Sequence, residues 1–202
     1  MIVGLLLAAG RSTRFGGNKL LHAPPGELPL ALQAARCLEA LEHSLAVIPQ
    51  DDATLRALFQ DVGLAVTEVP AAGPAQAGTP PGLSDSLRAG LQATPDATAW
   101  IIALADMPQV QVSTVAAMRE ALSQGALIVA CRYRGQRGNP VGFSSRFRNE
   151  LMALQGDQGA RGLLERHAAE VRWLEGDDPG ILRDIDVPAD WLSGAGQDSS
   201  AP

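Results

Sequence analysis

The sequence predicts an α/β protein of one domain, built on a parallel sheet. Short apolar runs of strand length alternate with segments that have helical spacing, which is the pattern of parallel sheets. The chain has 202 residues, of which 46% are apolar, and this is enough for one domain with a sizeable core. No apolar run is long enough to cross a membrane. A net charge of −6 and an aromatic content of 4% argue against a general nucleic-acid-binding surface.

Each element follows from its local pattern. Apolar runs predict strands over residues 2–7, 44–49, 64–69, 98–104, 126–131 and 170–174. Helical spacing predicts helices over residues 30–41, 51–62 and 113–124, and a further helix capped by Ser84 that continues to Leu91. Residues 70–82 predict a long loop, residues 132–143 a mobile turn, and residues 193–202, which are small and polar, a disordered tail.

Nothing in the sequence predicts export or a structural metal. The first strand begins at once, without a basic region or a cleavage site, so we expect a cytoplasmic protein. Cys37 and Cys131 form no metal or redox spacing, and we expect both to be small buried hydrophobic residues. The three histidines share no ligand spacing.

The end of the first strand is rich in glycine and cations. Ala8, Ala9 and Gly10 let the backbone approach a ligand closely, and Arg14 and Lys19 follow. Exposed N–H groups with Arg and Lys nearby suit a polyphosphate. The two common phosphate loops, G-x-x-x-x-G-K-[ST] and G-x-G-x-x-G, are absent, so this is a loop of a third kind. The alternative is a glycine-rich turn with solvated arginines.

Three further segments carry polar residues where ligands bind. Asp106 follows a buried strand, at the sheet edge where open α/β proteins bind ligands, and one or two carboxylates with substrate phosphates are typical ligands of Mg²⁺; a turn or cap is the alternative. The helix at Ser84 presents an N-terminus that attracts phosphate, or it is a capped helix without a ligand. Arg132, Arg134 and Arg137 either clamp a second anion or are solvated.

These segments resemble the signatures of the MobA/MocA-like nucleotidyltransferase family. The pattern L-A-[AG]-G-x-S-x-R-[MF]-G-x-x-K is filled over residues 7–19, and [GA]-D-M-P over residues 105–108. The motif G-[ML]-[SA]-x-S-L is matched over residues 82–87, and G-[HN]-P-V-x-F over residues 138–143. Residues 156–161 match G-D-x-G-A-R, and residues 184–190 match D-I-D-T-P-E-D with Val187 and Ala189 as departures. Ala9 and the G-D-x-G-A-R segment resemble the cytidylyl-transferring branch, which includes the molybdenum cofactor cytidylyltransferases.

The resemblance implies a single-domain, three-layer Rossmann-like fold with a mostly parallel sheet over residues 1–192. It also implies roles for individual residues. Arg14, Lys19 and Asp106 would be catalytic, and Asp106 and Asp186 would bind Mg²⁺. The nucleotide would be bound by Leu7, Ala8, Ala9, Gly10, Arg14, Lys19, Gly82, Ser84, Ser86 and Leu87. The acceptor would be bound by Asn139, Pro140 and Arg161.

The implied reaction transfers CMP from CTP to the phosphate of molybdopterin and releases pyrophosphate. A client molybdoenzyme or its chaperone is implied as a partner. Local chemistry leaves two residues open: Asp186 also suits an N-cap ahead of Pro188, and Arg161 also suits a pair with a carboxylate. A guanylyltransferase, a sugar- or alcohol-phosphate nucleotidyltransferase and a non-catalytic nucleotide sensor are the alternatives to the implied function. An NAD-type dehydrogenase is disfavoured because the G-x-G-x-x-G spacing is missing.

Overall fold

A computed structural model of the chain describes residues 1–10, 18–70, 82–156, 160–187 and 189–190. These residues form one seven-stranded sheet with helices on both faces. The strands are β1 (Ile2–Leu7), β2 (His43–Pro49), β3 (Ala65–Val69), β4 (Ala99–Leu104), β5 (Ile128–Tyr133), β6 (Gln136–Ser144) and β7 (Val171–Glu175). The α-helices are α1 (Leu30–Ala35), α2 (Ala53–Asp61), α3 (Leu83–Ala93), α4 (Val112–Ser123), α5 (Arg148–Met152) and α6 (Arg161–Arg166).

The strand order is β3-β2-β1-β4-β6-β5-β7. All neighbouring pairs are parallel except those made by β6, which runs antiparallel to both β4 and β5. The predicted α/β class with a mostly parallel sheet is therefore confirmed. The chain first builds outward from β1 to β2 and β3, and then returns to place β4 on the other side of β1. The carboxyl ends of β1 and β4 thus flank the point where the strand order reverses, which is where open α/β sheets bind ligands.

The predicted mobile turn over residues 132–143 is wrong, because this segment is mostly strand. β5 and β6 form a hairpin whose turn is made by Arg134 and Gly135, with φ values of 50° and 75°. Arginine, glycine, asparagine and proline all have weak strand propensity, but β6 pairs with a strand on each side. Pairing and burial outweigh local propensity in such a central strand.

Other boundaries moved by a few residues. The helix predicted over residues 30–41 is α-helical only in α1 and continues as a 3₁₀ helix over Arg36–Ala40. Of the predicted loop over residues 70–82, residues 71–81 lie outside the described residues, as do the implied domain boundary at residue 192 and the predicted tail at residues 193–202. No helix in the described part of the chain is long and apolar enough to span a bilayer.

The sheet separates two apolar layers. One contains Cys37 and Cys131 together with the inner faces of α1, α2 and α4, and the other contains Trp100 with the inner faces of α3, α5 and α6. Both cysteines are buried and free, as predicted. Burial, followed by the nearby Asp178 carboxylate, raises the pKa of each thiol to about 12, so neither is a reactive thiolate at neutral pH.

A segment after β7, which we call the strap (residues 178–187), crosses back to the carboxyl edge of the sheet. Its first residue, Asp178, is only 4% exposed and accepts hydrogen bonds from Gln111 N (3.0 Å), Thr114 Oγ1 (2.6 Å) and Gly180 N (2.9 Å). These three donors satisfy the buried carboxylate, as buried charge requires. Near the other end of the strap, Ile185 N donates to Asp106 O at 2.9 Å.

The close packing of the strap predicts a strong effect of a single methyl group. A Cβ built on Gly180 would lie 2.0 Å from the carbonyl oxygen of Gln109. Relieving this contact would require the backbone to move, which costs more free energy than turning a flexible side chain. We expect Gly180→Ala to lower the free energy of unfolding by about 1–3 kcal/mol, the usual range for overpacking, measured by urea denaturation. Gly176→Ala is the matched control, because its Cβ meets no atom within 4 Å. Equal stability of the two variants would contradict this packing.

Candidate active site

The carboxyl edge of the sheet holds a buried lysine between two carboxylates. The ammonium Nζ of Lys19 lies 3.0 Å from Asp106 Oδ2 and 3.1 Å from Asp186 Oδ1. The Lys19 side chain is 9% exposed, whereas those of Asp106 and Asp186 are 28% and 46% exposed. Lys19 is 87 positions from Asp106 and 167 positions from Asp186 in the sequence, yet the three residues meet at one point. That point lies at the carboxyl ends of β1 and β4, which we call the β1/β4 switch point because the strand order reverses there.

Each member of this triad is positioned by a different local device. Asp106 follows β4 directly, and Ala105 N donates to Leu7 O at 3.1 Å, which ties the ends of β4 and β1 together. Lys19 begins a 3₁₀ turn (Lys19–Leu21) whose Leu20 N–H is capped by the side chain of Asn18 at 3.2 Å. The strap brings in Asp186 through the bond of its neighbour Ile185 to Asp106 O.

The electrostatics of the triad favour a fixed cation. Burial by itself would lower the pKa of the Lys19 ammonium, but the Asp106 and Asp186 carboxylates outweigh it, so the pKa ends above its ordinary value. Lys19 therefore stays protonated at neutral pH. Its charge balances one of the two carboxylates, so the three residues together keep one net negative charge.

The donor set fits a divalent cation. Two carboxylates converge on one positive centre, and the Lys19 ammonium marks a position where positive charge is favourable. Among the described residues, no group of three or more His, Cys, Asp or Glu side chains is arranged to hold a metal. In phosphoryl chemistry the protein usually contributes one or two carboxylates to a Mg²⁺ site, and the substrate phosphates supply further ligands. The alternative role of Asp186 as an N-cap stays a prediction; the carboxylate of Asp190 accepts the backbone N–H groups of Asp186 and Val187.

The backbone after β1 lies beside the triad. Ala8 and Ala9 are 1% exposed, whereas Gly10 is exposed, and Ala8 N donates to Val47 O at 2.8 Å. Of these three residues, Gly10 is the one whose backbone a ligand could approach from solvent. Arg14 lies outside the described residues, within the gap at residues 11–17.

The amino end of α3 differs from the prediction in one detail. Its N-cap is Gly82, not Ser84, and Gly82 N donates to Asp85 Oδ2 at 2.7 Å. Ser84 and Ser86 are 2% exposed; Ser86 Oγ donates to Gly82 O at 3.3 Å. The buried hydroxyl of Ser84 has no hydrogen-bond partner in the described part of the chain. Leu87 packs into the apolar layer.

The residues predicted on the acceptor side lie in β6 and α6. Asn139 is half-buried and joined to the buried Pro140 by a cis peptide bond. Arg161 is 78% exposed and pairs with Glu165 at 3.0 Å, so the carboxylate pairing left open by the sequence is realised in this structure.

The three hairpin arginines do not form one clamp. Arg132 lies over the Trp173 ring, 3.7 Å from its centroid, and Arg134 lies 5.1 Å from the centroid of Tyr133. Burial, followed by the positive charge of Arg161, lowers the pKa of Arg137. Of the three, Arg137 is thus the one that is near enough to Arg161 for the two positive charges to repel each other.

Comparison with known proteins places this geometry in a family. Residues 4–171 match the model of the MobA-like NTP transferase domain. The chain belongs to the MobA-like NTP transferase family. The predicted family is thus confirmed, and with it the class of reaction: the protein is a nucleotidyltransferase.

Relatives of this MobA-like chain match over almost its whole length. It is 30% identical to the purine catabolism protein PucB of Bacillus subtilis in a match 200 residues long, which covers 94% of this chain and 94% of that protein. It is 27% identical to Rv0371c of Mycobacterium tuberculosis, whose crystal structure superposes with a TM-score of 0.80 over 95% of each chain. A second structure of that protein is a complex with manganese, at 27% identity, with a TM-score of 0.75 over 95% of this chain and 96% of that one.

A more distant structure shows the shared fold alone. The nucleotidyl transferase from Methanothermobacter thermautotroptrophicus is 19% identical and has a TM-score of 0.76, over 96% of this chain and 95% of that one. The three-layer Rossmann-like nucleotidyltransferase fold predicted for the MobA-like chain is confirmed by these superpositions.

Two carboxylates of this MobA-like chain were not singled out by sequence reasoning. Asp178 anchors the strap, and Asp190 Oδ2 accepts the N–H groups of Asp186 and Val187. Those N–H bonds, that of Val187 being the larger influence, lower the pKa of Asp190. Asp190 stands four residues after the predicted metal ligand Asp186, so its position in the sequence could have indicated a supporting role. Asp178 stands in a Gly-Asp-Asp-Pro-Gly stretch that resembles any turn.

Proposed function

We propose that the protein transfers CMP from CTP to the phosphate of molybdopterin and releases pyrophosphate in a Mg²⁺-dependent reaction. The observation that carries the proposal is the triad of Lys19, Asp106 and Asp186 at the β1/β4 switch point. Support for the base and the acceptor comes from the cytidylyl-type motifs, in particular Ala9 and the G-D-x-G-A-R segment. The product would be passed on to a client molybdoenzyme or its chaperone.

The residues of the triad divide the chemistry between them. An oxygen of the acceptor phosphate attacks the α-phosphorus of CTP, and the bond from that phosphorus to the β-phosphate oxygen breaks as pyrophosphate leaves. Asp106 and Asp186 would hold Mg²⁺, which would neutralise charge on the triphosphate. Lys19 supplies a fixed positive charge to the α-phosphate and the departing pyrophosphate. No protein nucleophile is required, since positioning and charge do the work.

The proposed nucleotide side runs from the β1 loop to α3. Leu7, Ala8, Ala9 and Gly10 present backbone at the end of β1, and Arg14 would add a cation from the adjoining loop. Gly82 starts α3, whose N-terminus favours phosphate. The unpaired Ser84 hydroxyl is a donor and acceptor without a protein partner, and a bound nucleotide would satisfy it. Ser86 and Leu87 then act by holding α3 in place.

The proposed acceptor side lies on β6 and α6. Asn139 offers an amide from a half-buried position, and the buried Pro140 lies next to it in β6. Arg161 would exchange its exposed partner Glu165 for the anionic acceptor, because an exposed ion pair is weak and easily replaced. The positive charge of Arg137 nearby favours the same exchange.

The test is pyrophosphate release from purified protein with each of the four nucleoside triphosphates, Mg²⁺ or Mn²⁺, and molybdopterin. We expect release with CTP and molybdopterin together and with no other triphosphate. Mn²⁺ is included because a relative forms a complex with manganese. Release with GTP would move the protein to the guanylyl branch. CTP binding without turnover of molybdopterin or of any sugar or alcohol phosphate would indicate a nucleotide sensor and overturn the proposal.

A further inference from the structure

The carboxylate of Asp190 closes a small hydrogen-bonded loop around the backbone of Asp186. Asp190 Oδ2 accepts the N–H groups of both Asp186 and Val187, each at 2.8 Å. In return, Asp190 N donates to Val187 O at 3.0 Å. Three hydrogen bonds therefore tie Asp190 to the backbone of Asp186 and Val187.

Asp186 is held on its other side as well. Ile185 N donates to Asp106 O at 2.9 Å, and Ile185 is buried in the apolar layer. The Asp186 side chain is 46% exposed, and its carboxylate lies 3.1 Å from the Lys19 ammonium. The position of that carboxylate depends on the backbone that carries it as well as on the ion pair.

We propose that Asp190 is a positioning residue, which orients Asp186 toward the cation position and thereby raises the affinity of the site for a divalent cation. This inference rests on the proposed function, in which Asp186 is a metal ligand. Groups that hold a metal ligand from outside typically contribute 10- to 100-fold in metal affinity. Asp190 has the geometry of such a group, because its carboxylate accepts the N–H of the ligand residue itself and the N–H of the next residue.

A local helix cap is the competing explanation for the same contacts. Residues 189–190 are helical, and an acidic side chain that reaches back three residues to an N–H is a common cap. A cap would affect stability and leave the metal affinity unchanged. The two explanations therefore differ in a measurement that does not depend on catalysis.

The experiment is a titration of the full chain with Mn²⁺, followed by electron paramagnetic resonance of the free ion, with and without CTP. We expect Asp190→Ala to weaken Mn²⁺ binding by about 10-fold or more. Asp190→Asn keeps an oxygen acceptor for the two N–H groups and should restore most of the lost affinity. Asp184→Ala is the matched control, since Asp184 is an exposed carboxylate on the same strap. It should bind Mn²⁺ as the wild type does.

The outcomes separate this inference from the proposed function. If Asp186→Ala loses Mn²⁺ affinity while Asp190→Ala matches Asp184→Ala, the positioning role of Asp190 is wrong and the metal site stands. If Asp186→Ala binds Mn²⁺ as the wild type does, the metal role of Asp186 fails, and the inference fails with it. If Asp190→Ala does not fold, Asp190→Glu takes its place, because it keeps the charge and displaces the oxygen; unchanged affinity in that variant would overturn the inference.

Discussion

Asp106→Asn is expected to lower the rate of nucleotidyl transfer by about 10³-fold. Asparagine keeps the shape of the side chain and one oxygen, but it removes one of the two negative charges that face the cation position. Loss of a single preorganised electrostatic group commonly costs about 10²–10³ in kcat, and this residue would also hold the metal. The measurement is kcat and KM for pyrophosphate release under saturating Mg²⁺.

The fold should survive this substitution, which makes the result interpretable. The strap is attached to Asp106 through its backbone oxygen, which accepts from Ile185 N, and this bond does not need the side chain. The melting temperature should therefore stay close to that of the wild type. Asp184→Asn serves as the control for a general loss of negative charge. Nucleotidyl transfer by Asp106→Asn at a rate close to that of the wild type would contradict the assignment of Asp106 as a metal ligand.

Much of the fold could be predicted because apolar runs mark strands that are buried on both faces. β1 agrees with its predicted range, and β2, β3 and β4 agree to within one residue. The prediction failed at β6, where local propensity indicates a turn and pairing with two neighbours decides the structure. Such pairing depends on residues far away in the sequence, so no local pattern contains it.

The candidate site was predictable where chemistry is local to a motif. Asp106 directly follows β4 and Lys19 ends the motif over residues 7–19, and the structure brings both together with Asp186. The contributions of Asp178 and Asp190 were missed, since they act through backbone N–H groups that only the folded strap presents. The predicted N-cap of α3 was wrong by two residues, because serine is a preferred N-cap residue and the sequence therefore favoured Ser84. In the structure the N-cap is Gly82, whose N–H donates to the side chain of Asp85.

Lys19→Met is expected to change catalysis and metal binding in opposite directions. Lys19 is the only lysine of the chain, and its ammonium contacts both carboxylates of the triad. Without it, transition-state charge on the α-phosphate and pyrophosphate is less stabilised, so kcat should fall by about 10²–10³-fold. KM should change far less, because the role assigned to Lys19 is played in the transition state.

The same substitution removes a cation that competes for the carboxylates. In the protein without nucleotide, Asp106 and Asp186 share the Lys19 ammonium, and a divalent cation must displace it. The affinity of Lys19→Met for Mn²⁺ should therefore rise, by about 10-fold if one ion-pair contact of roughly 1.4 kcal/mol is released. Lys19→Arg is the matched control, since it keeps the charge in a larger, planar group and should not show this gain. A loss of activity confined to KM, or unchanged Mn²⁺ affinity in Lys19→Met, would contradict the dual role of this lysine.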